Sequence, residues 1–432
     1  MRGEAVTLSS KRKMLALSQS ARLSCAYVLA CAGEGESTAH GVFSGHCLIC
    51  ENGRLIAESE PFSYVPSISE IDVDGLSGLR LRACEEACAE ICGFEMKIEP
   101  TTLTRKISPL PFIPSERNEQ KSRCHEILTM QALGLKKRLE HTCSKSAVIG
   151  ISGGLDSCLA ILVCVKAMDM LGRSRSDVLA ITMPCFGTTK RTRTNAEILC
   201  ERLGVSFREI NIASSVSQHF ADISHDAENK NVVFENAQAR ERTQILMDIA
   251  NDVGGIVIGT GDLSELALGW ATYNGDQMSM YGVNAGIPKT LVRSLVRYLS
   301  SEKIFDNVKE YLLDVVETLV SPELLPFDEE GKIAQKTEDL VGPYELHDFF
   351  IFYALRYHFS YDKILFLAKK AFANKYVEEE IIHLEKIRKD KEDELINLLK
   401  SIVITWFSDF PPTISIPCEI NSLAKHFEFS TT

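Results

Sequence analysis

The 432-residue chain contains no apolar run approaching the roughly 20 residues that a membrane-spanning helix needs. Its first segment, MRGEAVTLSSKRKMLALSQSARLSCAYVLACAG, is cut by polar residues and offers no signal peptide. No membrane partner is expected, and the sequence reads as cytoplasmic. A basic excess is also missing. The 47 Lys and Arg against 59 Asp and Glu give a net charge of -12, which argues against nucleic acid as a general partner. Internal repeats and low-complexity tracts are absent. The rest is ordinary for a globular protein, with 45% apolar and 25% charged residues, and the length suits two or three domains with buried cores.

The 14 cysteines are scattered through apolar segments and read as mostly reduced, buried thiols. Cys47 and Cys50 make a C-x-x-C, but HGVFSGHCLIC reads as a strand, where odd spacing sends the two side chains to opposite faces. Cys84, Cys88 and Cys92 share a helical stripe without a nearby fourth ligand, the pattern of packed thiols.

Two patterns of secondary structure succeed each other. Up to about residue 100 the chain reads as short strands and turns, with a hairpin signalled by Asn52-Gly53 between apolar runs. The stretch PTTLTRKISPLPFIPSERNEQ gathers prolines and polar residues and reads as a linker. From 121 onward helices and strands alternate, which predicts βαβ units and a mostly parallel sheet with helices on both faces. Beyond 300 the chain reads as largely helical, with KYVEEEIIHLEKIRKDKEDELINLLKSI a solvated helix.

Two loops fall at the carboxyl ends of predicted strands, where such sheets bind ligands. The first is GISGGLDS, residues 150–157, between the buried run SAVIG and a helix. Glycines and serines at a helix start make a cradle for phosphate, because unpaired N–H groups and the positive end of the helix dipole point there. The loop has no lysine, so it departs from the P-loop pattern. Asp156 stands in its place, and a carboxylate beside phosphate implies a magnesium ion between them. The second is GTGDLSELALGWATYNGDQMSMYGVNAGIPKT, residues 259–290, with Glu265 and Asp276. These could join Asp156 on a metal or handle protons. Taken alone, a carboxylate at a helix start serves more often as a cap than as a ligand.

SGGLDS after an apolar strand resembles the pyrophosphatase loop of the N-type ATP pyrophosphatases, which split ATP between its α and β phosphates. FENAQARERTQILMDIAN, the 259–290 segment and AQKTEDLVGPYELHDFF together resemble the synthetase domain of glutamine-dependent NAD synthetases, over about residues 121–375. The resemblance implies an adenine nucleotide alpha hydrolase-like, Rossmann-like α/β fold. It also implies ATP-dependent amidation of deamido-NAD through an acyl-adenylate, with ATP, deamido-NAD and ammonia or glutamine as small-molecule substrates and Mg2+ as cofactor.

Roles carry over where residues match. ATP would lie on Gly150, Ile151, Ser152, Gly153, Gly154, Leu155, Asp156 and Ser157, and on Thr260. Asp156 and Glu265 match magnesium ligands, and Lys289 a lysine that reaches the phosphates. Asn236, Arg240, Glu265 and Trp270 match the deamido-NAD site, and Asp276 the acid that takes the surplus proton of ammonium. MPCFGTTKRTRTNAE resembles a loop near ATP, whose Lys190, Arg191 and Arg193 suit phosphate neighbours and solvated surface equally.

Residues 1–98 resemble the C-terminal part of an α/β/β/α nitrilase-like (carbon-nitrogen hydrolase) glutaminase domain, through QSARLSCAYVLACAGEGES and VFSGHCLICENGRLIAES. In that family the Glu-Lys-Cys triad lies upstream of the matched part, so glutamine hydrolysis is not expected of this segment. Part of a sandwich exposes apolar strand faces, and a homo-oligomer is expected. The domain expectations are therefore 1–98 partial glutaminase, 99–120 linker, 121–375 synthetase and 376–432 a helical, divergent tail. That tail does not match the family's basic segment and its substrate-contacting lysine, and both ends read as a truncated or frame-shifted form of a longer gene.

Overall fold

The computed structural model describes residues 8–33, 42–63, 65–81, 102–186, 190–269, 272, 274–275, 277–317, 342–373 and 375–386, the side chains of 81 and 190–195 excepted. Cys84, Cys88, Cys92, Lys190, Arg191, Arg193, Trp270, Asp276 and the tail beyond 386 thus lie outside the described residues or side chains. Two compact units divide the chain. One comprises Met1–Pro109 with Phe350–Lys375, the other Leu110–Phe349 with Tyr376–Thr432.

In the first unit, helix α1 (Leu8–Arg22) precedes strands β1 (Ala26–Ala30), β2 (Cys47–Glu51) and β3 (Arg54–Glu58) in an antiparallel sheet of order β1-β2-β3. The helix was not legible in a stretch expected to hold only strands and turns. Asn52 and Gly53 close the hairpin with φ of 43° and 78°, both left-handed as a two-residue turn requires. Leu48 and Cys50, two apart on β2, pack with Ala16 of α1 and leave Cys47 on the other face. Helix α2 (Val73–Leu81) follows. Its Asp72 and Asp74 neighbourhood receives the Lys363 ammonium at 2.6 and 3.1 Å, while Arg105 grips Glu51 with two bonds at 2.7 and 3.1 Å.

The second unit holds a five-stranded parallel sheet. Its elements run α3 (Arg117–His141), β4 (Ala147–Gly150), α4 (Leu155–Leu171), β5 (Val178–Thr182), α5 (Lys190–Leu203), β6 (Ser206–Glu209), α6 (Ala213–Asp222), α7 (Val232–Val253), β7 (Ile256–Gly259), α8 (Leu263–Leu268), β8 (Tyr281–Gly282), α9 (Lys289–Leu299) and α10 (Lys309–Glu317). The strand order is β6-β5-β4-β7-β8, every pair parallel. Side chains alternate across it. Ala147, Ile149, Val178, Ala180, Ile256 and Ile258 enter the core on the side of α3, α4, α5, α9 and α10. Val148, Ile181 and Val257 enter the core on the side of α6 and α7. The expected parallel sheet with helices on both faces is what the structure has. Helix α4 is apolar around its circumference, and twelve of its 17 residues are buried, as a central helix demands.

The chain leaves β4 for β5 and β6 on one side, then returns to place β7 on the other. The carboxyl ends of β4 and β7 therefore adjoin where the winding reverses, the place such sheets leave open for a ligand. Close approach at their other ends depends on Gly255. The Ile256 N–H donates to the Ser146 carbonyl at 3.1 Å, and a Cβ on Gly255 would lie 2.5 Å from that oxygen. Gly255→Ala is accordingly expected to lower stability by about 1–3 kcal/mol, read as a fall in the urea midpoint of the parallel-sheet unit.

Candidate functional site

The strand-turn-helix unit at β4 has the geometry its composition predicts. The Ile151 N–H donates to the Ile181 carbonyl at 2.9 Å and ends the sheet pairing, with Gly150 at the strand end. Gly153 takes φ of 85°, and Gly154 is the N-cap of α4. Ser152 Oγ accepts the Gly154 N–H at 3.1 Å and lies 3.3 Å from Ser157 Oγ, which donates to the Gly154 carbonyl at 3.1 Å. Ser152 is exposed, whereas Ile151, Leu155 and Ser157 are buried. The serines thus brace a turn whose outer side is the start of a 17-residue helix, with its free N–H groups and positive dipole end.

At the neighbouring strand end the sequence GTGDLSE folds as a capping box. Asp262 caps α8 by accepting the Glu265 N–H at 2.8 Å, and the Glu265 carboxylate returns toward the Asp262 N–H at 3.4 Å. Both acids then face Lys289, the first residue of α9. Its Nζ lies 2.8 Å from Asp156 Oδ2, 2.9 Å from Asp262 Oδ2 and 2.8 Å from Glu265 Oε1, and 5.3 Å from the Tyr344 ring centre. Ligand oxygens of the three acids all lie within 4.8 Å of one another.

Burial sets the electrostatics. Lys289 is only 3% exposed and Asp262 is 0% exposed. Burial pushes the Asp262 carboxyl up to about 8 against the opposing charge of Lys289, and raises Glu265 in the same way. For Lys289, burial favours the neutral amine, but Asp156, Glu265 and Asp262 outweigh it and hold its proton more tightly than usual. Burial likewise raises the Tyr344 hydroxyl.

Two hydrogen-bond networks fix this cluster. Asn284 is fully buried, and its Nδ2 donates to the Asp156 carbonyl at 3.0 Å and the Thr260 carbonyl at 3.1 Å. It thereby joins the loops of β4 and β7. Gln131 of α3 holds Asn284 in turn, donating to its Oδ1 at 3.2 Å. On the other side Ser264 Oγ accepts the Lys289 N–H at 2.9 Å and donates to Asp348 Oδ1. Asp348 Oδ2 accepts the Thr290 N–H at 2.8 Å and its hydroxyl at 2.6 Å. Burial raises this carboxyl, and its bonds to Ser264 and Thr290 oppose the rise.

The structure brings Gly150–Ser157, Thr260, Glu265 and Lys289 together at the two strand ends. Lys289, expected at phosphate, is placed among carboxylates. Asn236 and Arg240 stand on another element, α7, on the face that also presents Ala239 and Thr243. Thr243 Oγ1 donates to the Gly275 carbonyl at 2.6 Å, and a Cβ on Gly275 would meet the Ala239 Cβ at 2.8 Å. The stretch around Gly275 therefore packs on the helix face carrying Asn236 and Arg240. Asp262, Ser264, Asn284 and Asp348 were missed. Asp262 had a signal, the D-x-x-E of a capping box; the others act through contacts distant in sequence and had none.

Residues 127–310 match the NAD synthase family model. A glutamine-dependent NAD(+) synthetase of Mycobacterium leprae is 42% identical over 398 residues, covering 86% of this chain and 58% of that one. That of Mycobacterium tuberculosis (strain ATCC 25618 / H37Rv) is 42% identical over 389 residues, covering 85% and 57%. The chain thus spans less than two thirds of the length of these curated relatives. A crystal structure of a glutamine-dependent NAD(+) synthetase from Cytophaga hutchinsonii covers 89% of this chain and 61% of its own at 17% identity, with a TM-score of 0.48.

Two outcomes are expected. Asn284→Ala removes a fully buried amide that serves the Asp156 and Thr260 carbonyls and accepts from Gln131, for a loss of about 1–3 kcal/mol, read by chemical denaturation. The second concerns pH. Asp262 titrates near 8 folded against an ordinary 3.8, so between these values the folded state binds more protons than the unfolded. Stability in EDTA therefore falls as pH rises through that window. Asp262→Asn should flatten the slope of melting temperature against pH, with Glu265 supplying what remains.

Proposed function

A NAD synthase domain occupies residues 127–310 of this chain, and from that premise we propose that the protein is a carbon-nitrogen ligase that amidates deamido-NAD to NAD with ATP. The observation that carries the reading is the meeting of the Ser152–Ser157 turn with Asp156, Glu265 and Lys289 at adjoining strand ends. A phosphate cradle beside acids suits a nucleotide bound with a hard cation.

The residues fit magnesium. All three acids offer carboxylate oxygens, the donors such a cation takes, and Asp156 Oδ1 is buried with no hydrogen-bond partner. Asp156 and Glu265 would hold the ion. When bound, it supplies neutralising charge at the phosphates of ATP.

The nicotinate carboxylate resists ammonia because it is an anion and its oxygen is a poor leaving group. Its attack on the α-phosphate of ATP forms an acyl-adenylate and releases pyrophosphate; ammonia then displaces AMP. Charge gathers on the phosphates in the first step, and the N–H groups at the start of α4 are aimed to receive it. Gly150, Ile151 and Leu155 shape the turn, Ser152, Gly153 and Gly154 face the phosphates with Ser157 bracing them from the buried side, Thr260 adjoins ATP, and Lys289, held among the acids, offsets part of their negative charge there. Asn236 and Arg240 orient deamido-NAD from α7. By the sequence resemblance Trp270 stacks on the nicotinate ring and Asp276 takes the proton that ammonium must lose before it can attack.

Nitrogen enters as ammonia, supplied free or from glutamine, as the names of the relatives suggest. The reaction belongs in the cytoplasm, a reading supported by the buried, unbridged thiols of Cys50, Cys124, Cys158, Cys164 and Cys200. A homo-oligomer is supported by exposed Val28 and Ile68 in the first unit.

Purified protein given ATP, Mg2+, deamido-NAD and ammonium should release AMP, pyrophosphate and NAD in equal amounts. Asp156→Asn should lower kcat/KM by about 100-fold or more. ADP as product, or turnover without deamido-NAD, would overturn the assignment.

A further inference from the structure

The residues assigned above leave one buried acid without a task. Asp262 caps α8 through Oδ1, yet its Oδ2 lies 2.9 Å from Lys289 Nζ outside hydrogen-bonding geometry. A cap alone needs no buried charge, since Asn caps a helix as well as Asp.

The charges give the reason. With a divalent cation bound, which displaces the proton that burial otherwise leaves on Asp262, the carboxylates of Asp156, Asp262 and Glu265 carry three negative charges around the single positive charge of Lys289. Two negative charges remain in a site where Asp156 Oδ1 and Asp262 Oδ2 are both buried without a hydrogen bond. One divalent cation cancels them. Without Asp262, the same lysine and cation would leave a surplus positive charge in buried surroundings.

We infer that Asp262 is a positioning residue that balances the Lys289 ammonium, so that a divalent cation and the lysine occupy one carboxylate cluster together. The inference rests on the reading that Asp156 and Glu265 hold the metal, and assigns Asp262 to the lysine. It predicts opposite effects from two neighbouring substitutions. Asp262→Asn keeps the cap and the volume but leaves the loaded cluster positive, so divalent binding weakens. Lys289→Gln leaves it negative, so binding tightens. The two together restore neutrality. A merely structural pair would behave otherwise, each change weakening binding and the double variant no better than either.

The test is Mn2+ affinity of the full chain without nucleotide, measured above the pH of about 8 at which Asp262 loses its proton, by calorimetry or by the electron paramagnetic resonance of free Mn2+. A unit charge at this separation in partly buried surroundings makes the expected changes about tenfold weaker for Asp262→Asn and about tenfold tighter for Lys289→Gln. The double variant should return to within about threefold of the parent. Lys289→Gln should also melt earlier than the parent in EDTA and recover more on adding Mn2+. Unchanged affinity in Asp262→Asn, whose shape is preserved, suffices to overturn the inference; so does weakening in both single variants. Asp156→Asn separates the two readings. If it abolishes Mn2+ binding while the opposed shifts are missing, only the role of Asp262 falls. If the parent binds no Mn2+, or Asp156→Asn binds as the parent does, the metal assignment falls and takes this inference with it.

Discussion

The Lys289 ammonium is almost fully enclosed, and it can stay charged there only because three carboxylates surround it. Leaving a buried charge of this kind unpaired costs about 3–5 kcal/mol, a large share of what holds a domain folded. The cluster therefore constrains the backbone as much as the backbone constrains the cluster. Asp156 must sit in the first turn of α4, Asp262 and Glu265 in the capping box of α8, and Lys289 at the start of α9. Three helices are held by their first turns around one nitrogen atom.

Geometry of that kind needs support behind it. Asn284 links the two loops through their carbonyls, and Asp348 links α8 to α9 through Ser264 and Thr290. Both side chains are buried, so neither exchanges its partners for water. The parallel sheet supplies the rest, since reversal of winding between β5 and β7 places the two loops side by side without either having to bend.

Much of this was legible in the sequence where the signal is local and periodic. Helices α3, α4, α5 and α7 and strands β4 to β7 announce themselves by apolar spacing, and SGGLDS by its glycines and its place between strand and helix. Strand β8 was not legible, because two residues, Tyr281 and Gly282, carry no period. Helix α6 was passed over, its short apolar stripe of Val216 and Phe220 lying among serines. Helix α1 in the first unit was lost because its mean composition is polar. The site followed the same rule. Asp156 and Glu265 were found from loops at strand ends, whereas Asn284 and Asp348 work across long stretches of chain, where no window of sequence shows what they touch.

The bond from Ser264 to Asp348 spans 84 positions and has a consequence for synthesis. A chain emerging from the ribosome presents the Gly-Ser turn, then the capping box, then Lys289, each able to take its local shape as it appears. The carboxylate that locks α8 to α9 arrives last. Until residue 348 has cleared the exit tunnel, the lysine and its acids are neighbours without a fixed register, and loop closure over that distance must precede any gain from the bond. The lysine-carboxylate cluster is therefore among the last parts of the domain to become rigid, and its locking marks the end of folding of the domain.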